Sequence, residues 1–218
     1  MKSILIIGMG RFGHFLCENL VELGNEVMIV DDNEEMITDM MGNVTSARVG
    51  DCTNPEVLKS FGVNNFDICF VCIGGDFQSS LEITYLLKEL GAKYVVSKAN
   101  RDIHAKFLLR NGADEVIYPD KDIAEKLAKK SSANHVFDYI ELSDEYSIYE
   151  IPPLKEWIGK SIRQTEARGK HKVNILGVKK GEELNMMPGV DYVFKEDEHL
   201  MVLGHEKDVE KLLKKIKD

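Results

Sequence analysis

The sequence predicts an α/β fold: a doubly wound parallel sheet with a second, smaller α+β lobe at its C-terminal side. Three observations predict it. Short apolar runs alternate with helix-period segments through residues 1–118. Those runs are apolar throughout rather than alternating, as strands covered on both faces require. Beyond residue 135 the pattern changes to strand-like stretches separated by proline and glycine turns.

Taken in order, Ser3–Ile7 reads as the first strand. Arg11–Leu23 follows as a helix, with Phe12, Phe15, Leu16, Leu20 and Leu23 expected on one face, and Gly24-Asn25 stops it. Glu26–Val30 is the second strand, Glu34–Met41 a second helix and Val44–Val49 the third strand. Asn54-Pro55 caps a short helix running through Ser60. Asp67–Ile73 is the fourth strand, Phe77–Leu90 a long helix closed by Gly91, and Tyr94–Ser97 the fifth strand. Arg101–Arg110 is a helix ended by Asn111-Gly112, and Glu115–Tyr118 the sixth strand. Asp120–Lys130 is a helix carrying Ile123 and Leu127, and Ser131–Asn134 reads as a hinge. The later strands are Val136–Leu142, Ser147–Ile151, Val173–Lys180 and His199–Leu203, with an amphipathic helix over Lys207–Lys217. The organisation expected is a doubly wound domain at 1–118, a crossover helix and hinge at 119–135, and a C-terminal lobe at 136–218.

The chain has 218 residues, 44% apolar and 30% charged, with a net charge of −9. Residues 1–135 carry 14 Lys+Arg against 20 Asp+Glu, a balance of −6, and the remainder carries −3. Neither part is basic, so nucleic acid and anionic lipid are poor partners. The opening apolar run, Ile4–Ile7, is too short for a signal or a membrane span, so any membrane role comes through a partner. Four cysteines, at 17, 52, 69 and 72, suit a reducing compartment without disulfides. Cys69 and Cys72 form a C-x-x-C. Positions three apart on a strand face opposite ways, which favours two core thiols over a metal or redox pair.

Gly8-Met9-Gly10-Arg11-Phe12-Gly13 is a G-x-G-x-x-G placed after a strand and before a helix, with Asp31 ending the next strand. That context is the Rossmann fingerprint. Gly8 allows the tight turn, Gly10 a close approach of backbone to phosphate, and Gly13 close packing of helix on strand. The helix start offers free N–H groups and partial positive charge. Asp31 can accept both ribose hydroxyls and disfavours a 2′-phosphate, which argues against NADP. Arg11 is either a phosphate cation or a solvated residue. Asp51 either faces the base or caps the next helix. Gly74 and Lys98 lie at the carboxyl edge of the sheet, where ligands collect. The candidate nucleotide set is Gly8, Met9, Gly10, Arg11, Phe12, Gly13, Asp31, Asp32, Asp51, Cys52, Ile73, Gly74 and Lys98. Asp120, past the sixth strand, either reaches phosphate through Mg²⁺ or Ca²⁺ or caps the following helix.

Catalytic machinery is not evident. Tyr85 and Lys88 are three apart, not the four of a short-chain dehydrogenase pair, and the six histidines show no metal spacing. A nucleotide site without an acid or base beside it suggests a sensor rather than an enzyme.

The glycine loop with its Arg11, Val30-Asp31, Gly50-Asp51, Tyr118–Asp122, Leu142–Ser147 and Val202–His205 together resemble the TrkA/KtrA-type regulatory subunits of bacterial potassium uptake systems, with N- and C-terminal RCK lobes. The resemblance covers nearly the whole chain. It implies a cytoplasmic gating subunit, peripheral to the inner face of the cell membrane. It implies dimers assembled into an octameric ring under a membrane pore-forming potassium transporter subunit. ATP, ADP or NAD(H) would bind the N-lobe. Asp120 falls where relatives often place a cation-binding Glu. Ile162, Arg168, Asn174, Ile175 and Pro188 fall where some relatives bind cyclic di-AMP, although Ile162 and Ile175 also suit a core. The competing readings are a small NAD-dependent oxidoreductase and a stand-alone nucleotide sensor.

Overall fold

The apolar runs of the N-terminal part pair into one parallel sheet. In the computed structural model, which describes residues 1–132, 136–143 and 145–216, its strands are β1 (Ser3–Ile7), β2 (Glu26–Asp31), β3 (Ser46–Val49), β4 (Ile68–Val71), β5 (Val95–Lys98) and β6 (Glu115–Ile117). Their order is β3-β2-β1-β4-β5-β6, parallel at every pairing. Helices α1 (Arg11–Glu22), α2 (Glu35–Thr38), α3 (Pro55–Phe61), α4 (Phe77–Glu89) and α5 (Asp102–Arg110) connect the strands, and α6 (Pro119–Ser132) follows β6. The order reverses at β1, between β2 and β4, and the carboxyl ends of these strands open a crevice there.

The central strands β1, β2, β4 and β5 are buried on both faces, which is why they read as continuous apolar runs, while the edge strands β3 and β6 are part-exposed. Leu5 and Ile7 pack with Cys69, Val71 and Leu87 on one side. Ile4 and Ile6 pack with Cys17, Ile29 and Ile37 on the other. All are at most 2% exposed, each burial contributing about 1.5–3 kcal/mol for the larger side chains. Cys69 and Cys72 fall in these two separate clusters, on opposite faces as their spacing predicts.

Several elements differ from expectation. Helix α1 buries Gly13 and Cys17, with Phe12, Leu16 and Leu20 packed beside them, while Phe15 and Leu23 are exposed. Two overlapping i, i+4 rows, 12-16-20 and 13-17, make the contact face, so the wider stripe was an overestimate. The second helix is one turn long, and β3 and β4 are shorter than their apolar runs. The ends of the fourth run serve elsewhere: the Asp67 carboxylate accepts from Ser3 N–H at 2.9 Å, and Ile73 lines the crevice. Ser131 and Ser132 are the last residues of α6 rather than a turn, and Ala133 and Asn134 lie outside the described residues.

By contacts the chain divides into Met1–Ile123 and Ala124–Asp218. The second unit holds an antiparallel sheet of β7 (Asp138–Glu141), β8 (Tyr146–Ile151), β9 (Val173–Lys180), β10 (Glu183–Asn185) and β11 (His199–His205), in the order β10-β9-β11-β8-β7. Short helices α7 (Ile162–Thr165) and α8 (Ala167–His171) precede β9, and α9 (Glu206–Ile216) ends the described chain. Trp157, Phe194, Leu200, Val202, Val209 and Leu212 form its core. β10, α7 and α8 were not anticipated. Helix α7 had a readable start, the Ser161-x-x-Gln164 capping box. Its end turns on Glu166 at φ +51°, a left-handed residue that composition does not announce.

Candidate functional site

The glycine loop takes the shape its spacing demands. Gly8 sits at φ +94°, and a Cβ there would come within 2.9 Å of Ile73 Cγ1. A Cβ on Gly13 would collide with the carbonyl oxygen of Gly8, so α1 can lie against β1 only with glycine at that position. A Cβ on Gly10 would meet nothing within 4 Å, because that face is open. Gly10 is the N-cap of α1. No side chain caps the helix and no acid sits in its first turn. Its first N–H groups therefore remain available to an anion.

Asp31, the last residue of β2, is tied to this loop. Its Oδ2 accepts from Met9 N–H at 2.6 Å and its Oδ1 from Asn33 N–H at 2.9 Å. Whenever the neighbouring Asp32 is ionised, each oxygen retains a second acceptor direction. Asp32 is exposed beside it. A hydrogen bond to Asp31, with some desolvation, raises the pKa of Asp32. Asp51 accepts from the Thr53 hydroxyl at 2.6 Å and Thr53 N–H at 2.9 Å, and these bonds lower its pKa. The cap of α3 is Asn54, whose Oδ1 accepts from Glu56 N–H at 3.0 Å, so Asp51 does not cap that helix.

Together these groups border a cleft of about 500 Å³ at the carboxyl edge of the sheet. Gly8, Gly10, Asp31, Asp32, Asp51, Cys52, Ile73 and Gly74 line it. The other candidates stand around it. Met9 has its side chain in the core and only its N–H at Asp31. Gly13 is buried beneath the loop, and Phe12 packs on the core with Lys98 Nζ 5.5 Å from its ring. Arg11 is exposed. Asn33, Met36, Thr53, Ser79 and Ile83 also line the cleft and were not singled out, and Asp76, which follows Gly74-Gly75 at the sheet edge, lines it too. Asp76 had a signal: it N-caps α4, accepting from Gln78 and Ser79 N–H at 3.0 and 3.1 Å. Met36 and Ile83 had none, since apolar residues at helical spacing read as core.

A second cavity, of about 530 Å³, lies within the C-terminal unit. Ile162, Arg168, Asn174, Ile175 and Pro188 all line it, with Arg163, Glu166 and Val190. Arg168 donates through Nε and Nη2 to Asn174 Oδ1 at 3.0 and 2.8 Å. Ile162 and Ile175 are partly buried against the core while also facing the cavity.

The family profile of the TrkA-N domain matches residues 4–119, and that of the TrkA-C domain matches residues 146–217. The chain belongs to the TrkA/KtrA family of potassium uptake regulatory subunits. Ktr system potassium uptake protein C of Bacillus subtilis (strain 168) is 36% identical over 99% of this chain and 97% of its own length. Ktr system potassium uptake protein A of the same organism is 37% identical, over 96% and 95%. The solved structure of the GsuK channel bound to NAD superposes with a TM-score of 0.67 at 18% identity. It aligns over 99% of this chain but only 39% of the GsuK chain, and shows a shared fold.

Burial pushes the thiols of Cys52, Cys69 and Cys72 up to about 12, so they stay protonated and unreactive. Lys88 is bound to Asp114 at 2.9 Å, and Tyr85 is exposed beside it on α4. Asp120 is exposed within the first turn of α6, after Pro119, rather than at the cap. Among the described residues no group of three or more His, Cys, Asp or Glu is placed to hold a metal ion. No helix among the described residues is long and apolar enough to cross a membrane.

Proposed function

We propose that the chain is a nucleotide-sensing regulatory subunit of a potassium transporter. The observation that carries the nucleotide reading is the 2.6 Å bond between Asp31 and Met9 N–H, beside the uncapped start of α1. It makes the ribose-binding acid and the phosphate-binding loop one rigid unit. The phosphates take the helix N-terminus, the sugar takes Asp31, and the base lies toward Asp51 and Cys52. The Asp31 carboxylate favours ATP, ADP or NAD(H) over a 2′-phosphorylated dinucleotide. The potassium reading is supported by relatives that span nearly the whole chain and carry the Ktr uptake-system name. In this reading the chain is a cytoplasmic homo-oligomer, a dimer or octameric ring, docked on a membrane pore subunit. A nucleotide shifts it only by its difference in affinity for two conformations. Calorimetry of the purified protein against ATP, ADP, NAD and NADH, with and without Mg²⁺, tests the reading. Binding of at least one is expected, and silence toward all would overturn it.

For the C-terminal cavity we propose cyclic di-AMP. Ile162, Ile175 and Pro188 offer an apolar floor for a purine. Arg168, held by Asn174 through two of its five N–H groups, has the rest free for phosphate. Titration should show binding that Arg168→Ala weakens at least tenfold, about 1.4 kcal/mol. No binding by the wild-type protein refutes it.

A further inference from the structure

A chain of hydrogen bonds leads from the rim of the nucleotide cleft into the core of the N-terminal unit. Gly74 lines the cleft, and its carbonyl oxygen accepts from Asn100 Nδ2 at 2.5 Å. Asn100 Oδ1 lies 3.1 Å from His104 Nδ1. The Asn100 carbonyl accepts from the Tyr118 hydroxyl at 2.5 Å, which fixes the backbone from which this side chain springs. His104, on α5, is fully buried, with its ring 4.8 Å from that of Phe77.

The protons in this chain have one consistent placement. A carbonyl oxygen only accepts, so the Asn100 group facing Gly74 is the NH₂ and the group facing His104 is the amide oxygen. That oxygen also only accepts, so His104 carries its proton on Nδ1. Nε2 is then a bare acceptor, and among the described residues it is buried with no hydrogen-bond partner. Burial, and secondarily the nearby Arg101, lower the pKa of His104, which keeps the ring neutral.

We propose that His104, in its Nδ1–H form, is a positioning residue for the nucleotide cleft: it orients the Asn100 amide, and Asn100 holds the Gly74 carbonyl at the rim. The proposal rests on the nucleotide reading above. Gly74 and Gly75 form a segment with no side chain of its own to anchor it and with maximal backbone freedom. A single external tether there removes freedom that a ligand would otherwise have to remove on binding.

Two substitutions separate this role from mere space filling. Asparagine at 104 places an amide N–H near the position of Nδ1, whereas glutamine places it near Nε2. Calorimetry with ADP should find His104→Asn within about twofold of wild type, and His104→Gln and Asn100→Asp weaker by roughly five- to tenfold, the worth of one hydrogen bond. Thermal unfolding of each variant confirms that the protein is folded at the assay temperature. Equal affinities for His104→Asn and His104→Gln would overturn the proposal. Independently, ¹⁵N spectra of the histidine rings of the unliganded protein should show Nδ1 protonated and Nε2 bare at neutral pH. An Nε2–H or doubly protonated ring overturns the positioning role alone. Wild-type protein with the expected tautomer but no affinity for ADP, ATP or NAD overturns the nucleotide reading and the tether's role with it.

Discussion

Replacing Asp31 by asparagine tests the centre of the site with almost no change of volume. The carboxylate now accepts from Met9 N–H at 2.6 Å and Asn33 N–H at 2.9 Å, and has two acceptor directions left for ribose hydroxyls. An amide has one oxygen, so one backbone N–H loses its partner and one sugar hydroxyl meets a donor. The first loss costs about 0.5–1.5 kcal/mol of stability, because the bond is only partly buried. The second removes a hydrogen bond to a charged group, about 1.5–3 kcal/mol of binding, or roughly 10- to 150-fold in Kd. Calorimetry with ADP and NAD should therefore show a large loss of affinity beside a small shift in melting temperature. The same change removes the carboxylate that repels a 2′-phosphate, so the preference for NAD over NADP should shrink. Unchanged affinity for every adenine nucleotide would refute the reasoning, because it would mean that no ligand hydroxyl touches this acid.

Three further expectations follow from the same geometry. Gly13→Ala drives a methyl group into the Gly8 carbonyl, so it should shift the glycine loop, cost about 1–3 kcal/mol in unfolding assays and abolish nucleotide binding. Arg11→Ala should weaken ATP more than ADP, since an exposed cation at the loop answers a third phosphate, and an equal loss for both argues against that contact. In the C-terminal unit, burial alone would raise the pKa of Glu150. Hydrogen bonds from His199 at 2.8 Å and Lys179 at 2.9 Å outweigh this and hold it below its ordinary 4.5. That stabilisation is complete above the unfolded value and disappears as pH falls through the lower folded one. Wild-type thermal stability should therefore drop below about pH 4.5 more steeply than that of Glu150→Gln.

How far the site was legible depends on how local each signal was. Gly8, Gly10, Gly13 and Asp31 stood out because turn geometry and helix starts depend on a few adjacent residues. Asp51 was visible as an acid past a strand, but whether it or Asn54 capped α3 was a matter of one turn's conformation. Met36 and Ile83 line the cleft without announcing it, since only the path of the surrounding chain distinguishes a wall residue from a core residue. Phe15 was misplaced for the converse reason: its spacing fits the apolar face, but the described residues leave it largely exposed.

Hydrophobic period and glycine spacing determined the parallel sheet, the glycine turn before α1 and the smaller second lobe, because each expresses the chain's local geometry and needs no knowledge of distant contacts. The folded molecule decided what depends on segments far apart in sequence meeting at hydrogen-bond distance. Asp31 reaches Met9 across 22 residues, and Asn100 reaches Gly74 across 26. No pattern in a single sequence specifies such a pairing, since it is the packing of the whole sheet and its helices that sets the distance.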